Sequence, residues 1–129
     1  MRPIFLVADP PDPEMLSTRK LVLESAKFNV LTAFSMSEAK EILSMCRVTA
    51  AVFHERAFGA DSVPEIVGKL RKEIPDLPII VLSPHPGEID GADAVLSSHD
   101  PIELVRFLRK KFNLAEDPTE LEPQPVRRG

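Results

Sequence analysis

Thr49-Ala50-Ala51-Val52-Phe53-His54-Glu55 is a short apolar run that stops abruptly on two polar, potentially reactive side chains. A continuous apolar run of this length, bounded by polar residues, reads as a strand of a parallel sheet covered on both faces. Ligands and chemistry in open parallel α/β sheets collect just beyond the carboxyl ends of the central strands. His54 and Glu55 therefore stand where a site is expected.

The flanking chain repeats the pattern. Pro3 to Ala8 forms a first buried strand, followed by Asp9-Pro-Pro-Asp12-Pro13. Asp12 as N-cap with Pro13 at the first helical position starts a helix running to about Ala26. A second strand covers Val30 to Ala33. Ser35-Met-Ser-Glu38 then has capping-box spacing and opens a second helix to about Met45. Beyond the central strand, Ser62-Val-Pro-Glu65 repeats the box and starts a helix that Pro75 stops. Leu77 to Leu82 is a fourth apolar strand. Residues 84–90, with two prolines and a glycine, are too few and too broken for a full helix. Ala94 to Leu96 is a short fifth strand, and Asp100-Pro-Ile-Glu103 caps a last helix to about Phe112.

Five strands alternating with helices define a three-layer α/β fold, a doubly wound parallel five-stranded sheet with the fourth helix shortened or absent. Residues 1–112 make this domain. Residues 113–129, rich in proline and mixed charge, read as a disordered tail.

The totals narrow the function. The 129 residues, 43% of them hydrophobic, suffice for one core. A net charge of −4, with acids and bases interspersed, gives no basic stripe of the kind that binds DNA or RNA. One cysteine, Cys46, forbids an internal disulfide and suits a reducing cytoplasm. No run has the length of a membrane span, and the chain opens directly into a strand without a signal peptide. The glycines at 59, 68, 87 and 91 do not form a phosphate-cradling loop; Gly87 and Gly91 shape turns.

In order and spacing, Ile4-Phe-Leu-Val-Ala-Asp9, Glu38-Ala39, Leu70-Arg71, Leu77-Pro-Ile-Ile-Val-Leu-Ser83 and Gly91-Ala-Asp-Ala-Val-Leu96 resemble the receiver domain of two-component response regulators. The resemblance covers about residues 3 to 112. It implies a flavodoxin-like fold with strand order 2-1-3-4-5. It also implies a phosphoacceptor aspartate at the end of the third strand, two acids holding Mg²⁺, and a hydroxyl and a lysine on the phosphoryl oxygens.

Here the acceptor position falls on His54, or on Glu55 when counted back from Leu70-Arg71. The acidic pair reads Ala8-Asp9. Ser83 matches the hydroxyl, the lysine position falls on Ser98, and the aromatic switch position holds Val95. The implied protein is a degenerate, stand-alone receiver with no enzymatic activity and with Mg²⁺ binding weakened or lost. It would act in the cytoplasm through a signalling partner, a histidine kinase or an output protein. A homodimer is one assembly the family implies, although the missing helix removes part of the face it uses.

Two readings compete at the same edge. His54, His85 and His99 with Asp9 form a candidate set for a transition metal, within a module that binds a metal or small molecule. His54 is also a competent nucleophile in principle. Elsewhere, Arg106, Arg109, Lys110 and Lys111 cluster on the last helix, either as a solvated face or as a dock for an acidic partner.

Overall fold

The structure, a computed structural model, describes residues 3–9, 20–58 and 63–113. Five parallel strands, β1 (Ile4–Ala8), β2 (Asn29–Ala33), β3 (Ala50–His54), β4 (Ile79–Ser83) and β5 (Ala94–Ser97), lie in the order β2-β1-β3-β4-β5. This is the flavodoxin-like order that the receiver resemblance implies. The helices are α1, described over residues 20–25, α2 (Met36–Met45), α3 (Val63–Glu73) and α4 (Pro101–Lys111). No helix links β4 to β5, in agreement with the broken segment 84–90.

Side-chain alternation divides the core into two layers. Phe5 and Val7 of β1, Ala50 and Val52 of β3, and Ile80 and Leu82 of β4 pack against Leu23 and Ala26 near α1 and Leu104, Val105 and Leu108 of α4. Leu6, Ala8, Ala51, Phe53, Ile79 and Val81 face the other way, toward Ala39 of α2 and Ile66, Val67 and Leu70 of α3. β3 is buried along its whole length because both layers cover it. That is why its sequence shows no polar alternation.

Boundaries shift where backbone chemistry overrides the apolar pattern. Leu77 is buried but precedes β4, since Pro78 has no N–H for the ladder; its carbonyl still accepts from Ala51 N–H at 3.0 Å. Ser83, Ser97 and Asn29 join their strands. β3 ends at His54, and Glu55–Phe58 is a 3-10 turn that the apolar pattern does not signal. α2 is capped as expected: Ser35 Oγ accepts from Glu38 N–H at 3.2 Å, and Glu38 Oε1 reaches back to Phe34 N–H at 2.7 Å. At α4, Asp100 Oδ1 accepts from Glu103 N–H at 3.0 Å. The caps expected at Asp12-Pro13 and at Ser62, and the tail from residue 114, lie outside the described residues.

Candidate carboxyl-edge site

The buried polar side chains among the described residues are Asp9, His54, Ser83 and Ser98, and all four stand at the carboxyl edge of the sheet. The strand register brings them there. Ala8 of β1 pairs with Phe53 of β3, so Asp9 and His54 fall one rung further on. His54 pairs with Leu82, which places Ser83 just beyond it. Ser83 pairs with Ser97, and Ser98 N–H donates to the Ser83 carbonyl at 2.9 Å. Asp9 is fully buried and His54 only 3% exposed. Asp9 also extends the β1 ladder, its N–H donating to the Ala33 carbonyl at 3.0 Å.

Three of the strand ends use one local device. His54 Nδ1 accepts from Arg56 N–H at 3.1 Å, Ser83 Oγ accepts from His85 N–H at 3.0 Å, and Ser97 Oγ accepts from His99 N–H at 3.1 Å. Each side chain bonds the backbone two residues ahead and turns the chain off its strand. His54, Ser83 and Ser97 thus serve as turn formers, and His54 and Ser83 are candidate site groups as well. An imidazole that accepts at Nδ1 carries its proton on Nε2 when neutral, which commits the ring's basic lone pair to Arg56.

The two candidates for the acceptor position separate in space. His54 closes β3 on the Val52 face and is buried. Glu55 opens the 3-10 turn and is half-buried. The proposed metal set is not assembled: among the described residues no group of three or more His, Cys, Asp or Glu is placed to hold an ion. His85 and His99 are both exposed on turns, whereas Asp9 and His54 are buried. Residues that the loops bring to one edge need not converge on one point.

A second polar cluster, at the opposite edge, received no role from the sequence. Arg71 Nη1 donates to the carbonyls of Pro75 (3.0 Å) and Leu77 (2.7 Å). Arg71 Nε (3.2 Å) and Nη2 (2.7 Å) donate to the Gly91 carbonyl, and Nη2 also meets Asp93 Oδ2 at 2.8 Å. The same Oδ2 accepts Ile79 N–H at 2.7 Å, and Lys111 Nζ lies 3.8 Å from Oδ1. Burial pushes the Asp93 carboxyl up. The Ile79 and Arg71 hydrogen bonds, with the charges of Arg71 and Lys111, outweigh it and hold the group below its ordinary value of 3.8. Leu70-Arg71 and Gly91-Ala-Asp93, two of the stretches that carry the receiver resemblance, are thus the two halves of one clamp. The sequence signal was the motif itself; its mechanism spans 22 residues of chain.

The fold and this edge define a doubly wound, flavodoxin-like sheet with a candidate site at its carboxyl end. Within that class, the chain has the receiver-domain fold. It is similar to a CheY-like response-regulator receiver domain from Methanospirillum hungatei, with TM-score 0.73, 20% identity, and coverage of 88% of this chain and 95% of that one. A Thermotoga maritima response regulator, solved with Mg²⁺ and BeF, matches with TM-score 0.71 and 24% identity over 85% of this chain and 98% of that one. A sensor protein from Polaromonas matches with TM-score 0.75 and 24% identity over 89% and 100%. No protein-family model matches the chain. No curated protein matches it.

Proposed function

We propose that this chain is a receiver-like module of two-component signalling that works by binding a protein partner and takes no phosphoryl group on a carboxylate. One observation carries the reading: the strand end where the receiver resemblance puts the acceptor aspartate holds His54, buried and with Nδ1 accepting Arg56 N–H. A phosphoryl acceptor needs an exposed lone pair in line with the donor, and positive charge against the developing anion. A neutral imidazole in this arrangement has one nitrogen engaged and the other protonated, so His54 is a poor acceptor too. Ser98 stands where the lysine would bring the charge.

Mg²⁺ requires near-octahedral oxygen ligation. Among the described residues the buried set offers one carboxylate, an imidazole and two hydroxyls, which does not fit that demand. Positions 8, 54 and 98 thus supply no acid, aspartate nucleophile or cation, and contact remains as the means of signalling. The partner class is a histidine kinase or an output protein, with a homodimer as a further assembly, and the setting is the cytoplasm. No helix among the described residues is long and apolar enough to cross a membrane.

The test is incubation of the protein with Mg²⁺ and acetyl phosphate, read by intact mass beside an active receiver. No adduct is expected. A gain of about 80 Da, carried by a residue able to act as nucleophile, would overturn the reading.

A further inference from the structure

A cleft of about 640 Å³ opens at the amino edge of the sheet, between the loop that leads from α2 into β3 and the loop that leads from α3 into β4. A smaller one of about 230 Å³, between α2 and α3, shares Leu43, Ser44, Glu73 and Ile74 with it, so the two form one continuous groove. Leu43, Val48 and Ile74 are half-buried in it, and Met45 stands at its lip with 69% exposure.

The charges that line the groove are sorted by wall. Lys40 and Arg47 come from α2 and the loop after it, Glu73 and Asp76 from α3 and the loop after it. All four side chains are exposed, and none makes an ion pair among the described residues. Arg71, the cation of α3 nearest to them, is turned instead to Gly91 and Asp93.

We infer that the occupant of this groove is a second copy of the chain. An acidic partner would meet Glu73 and Asp76, and a basic one Lys40 and Arg47. The groove asks for a partner with acids against one wall and bases against the other. A second copy turned about a two-fold axis running along the groove meets that demand by symmetry. The α2 wall of each copy then faces the α3 wall of the other, so Arg47 opposes Glu73 and Asp76 twice over, and Met45 leaves water against the apolar floor. Fewer residues line the groove than the roughly 20–30 a side of a standard interface, so the contact is weak and reversible and the chain is monomeric when dilute. This gives the homodimer of the proposed function a face away from the carboxyl edge, and a failed test here leaves the acetyl phosphate result untouched.

The test is sedimentation equilibrium of the full chain from about 10 μM to about 1 mM, with amide NMR over the same range. Monomer should pass to dimer, and the concentration-dependent amide shifts should fall on residues 40–48 and 73–78. Arg47→Glu, and Glu73→Arg combined with Asp76→Arg, each checked for native peak dispersion, should weaken the dimer at least about tenfold. An equimolar mixture of the two variant chains should dimerise as wild type does, because reversed charges then face reversed charges and native face native. A monomer at about 1 mM, a dimer indifferent to either reversal, shifts centred elsewhere, or a mixture no tighter than its components would overturn the inference.

Discussion

Replacing Asp93 tests whether the amino-edge clamp holds the sheet. Its Oδ2 accepts both Ile79 N–H at 2.7 Å and Arg71 Nη2 at 2.8 Å. In Asp93→Ala the Ile79 N–H, at the start of a fully buried strand, loses its acceptor, costing about 1–3 kcal/mol. The Arg71 and Lys111 charge contacts are partly exposed and add up to about 1 kcal/mol. Arg71 keeps its bonds to the carbonyls of Pro75, Leu77 and Gly91. The expected loss is therefore about 1–4 kcal/mol. Asp93→Asn can keep an oxygen at the Oδ2 position and should lose about 1 kcal/mol or less. The chain has no Trp or Tyr, so urea unfolding is best followed by far-UV circular dichroism. With m of about 2 kcal/mol per M, the Asp93→Ala midpoint should fall by about 0.5–2 M at unchanged m. A loss below about 0.5 kcal/mol, or equal losses for Ala and Asn, would refute the hydrogen-bond account. The pH dependence follows in sign. The folded carboxyl lies below 3.8, so its stabilisation is complete above that pH and is lost as pH falls through the lowered value. Wild type should lose more stability than Asp93→Asn over that window.

His54→Asp puts a second carboxylate on the rung that buried Asp9 occupies, with no cation at position 98. It should cost about 3–5 kcal/mol at neutral pH and recover partly on acidification as the new carboxyl takes up a proton; adding Ser98→Lys should restore stability in the same urea titration. Phe53→Ala, in the fully buried centre of β3, should cost about 3–5 kcal/mol. Met45→Ala on the exposed end of α2 should stay within about 0.5 kcal/mol, again by urea midpoint. Gly91→Ala should cost about 1–2 kcal/mol by thermal or urea unfolding, because φ is +89° and the new Cβ would lie 3.1 Å from Val67 Cγ1.

The strands were readable because burial on both faces leaves a continuous apolar run, as in Ala50–Phe53 and Ile79–Leu82. The helix starts at Ser35 and Asp100 were readable because a cap is a local bond across three residues. Other features depend on contacts that sequence spacing does not encode. Nothing local announces that Arg71 will meet Asp93, 22 residues away. The candidate metal set is not assembled among the described residues: topology delivers Asp9, His54, His85 and His99 to one edge, but His85 and His99 are exposed whereas Asp9 and His54 are buried.

The two edges of the sheet are under different physical demands. At the amino edge, Asp93 holds the N–H of Ile79 and is held by Arg71, so losing either partner leaves polar groups of the fold itself without their hydrogen bonds. At the carboxyl edge, a phosphoacceptor, a second acid and a lysine would bring repelling carboxylates and a desolvated cation that stabilise nothing unless metal and phosphoryl group are present. His54 and Ser83, each accepting a backbone N–H two residues ahead, meet the local needs of the strand ends without those costs. The clamp and both core layers hold the sheet whichever side chains stand at positions 54 and 98. Agreement at Leu70-Arg71 and Gly91-Ala-Asp93 therefore speaks for the fold.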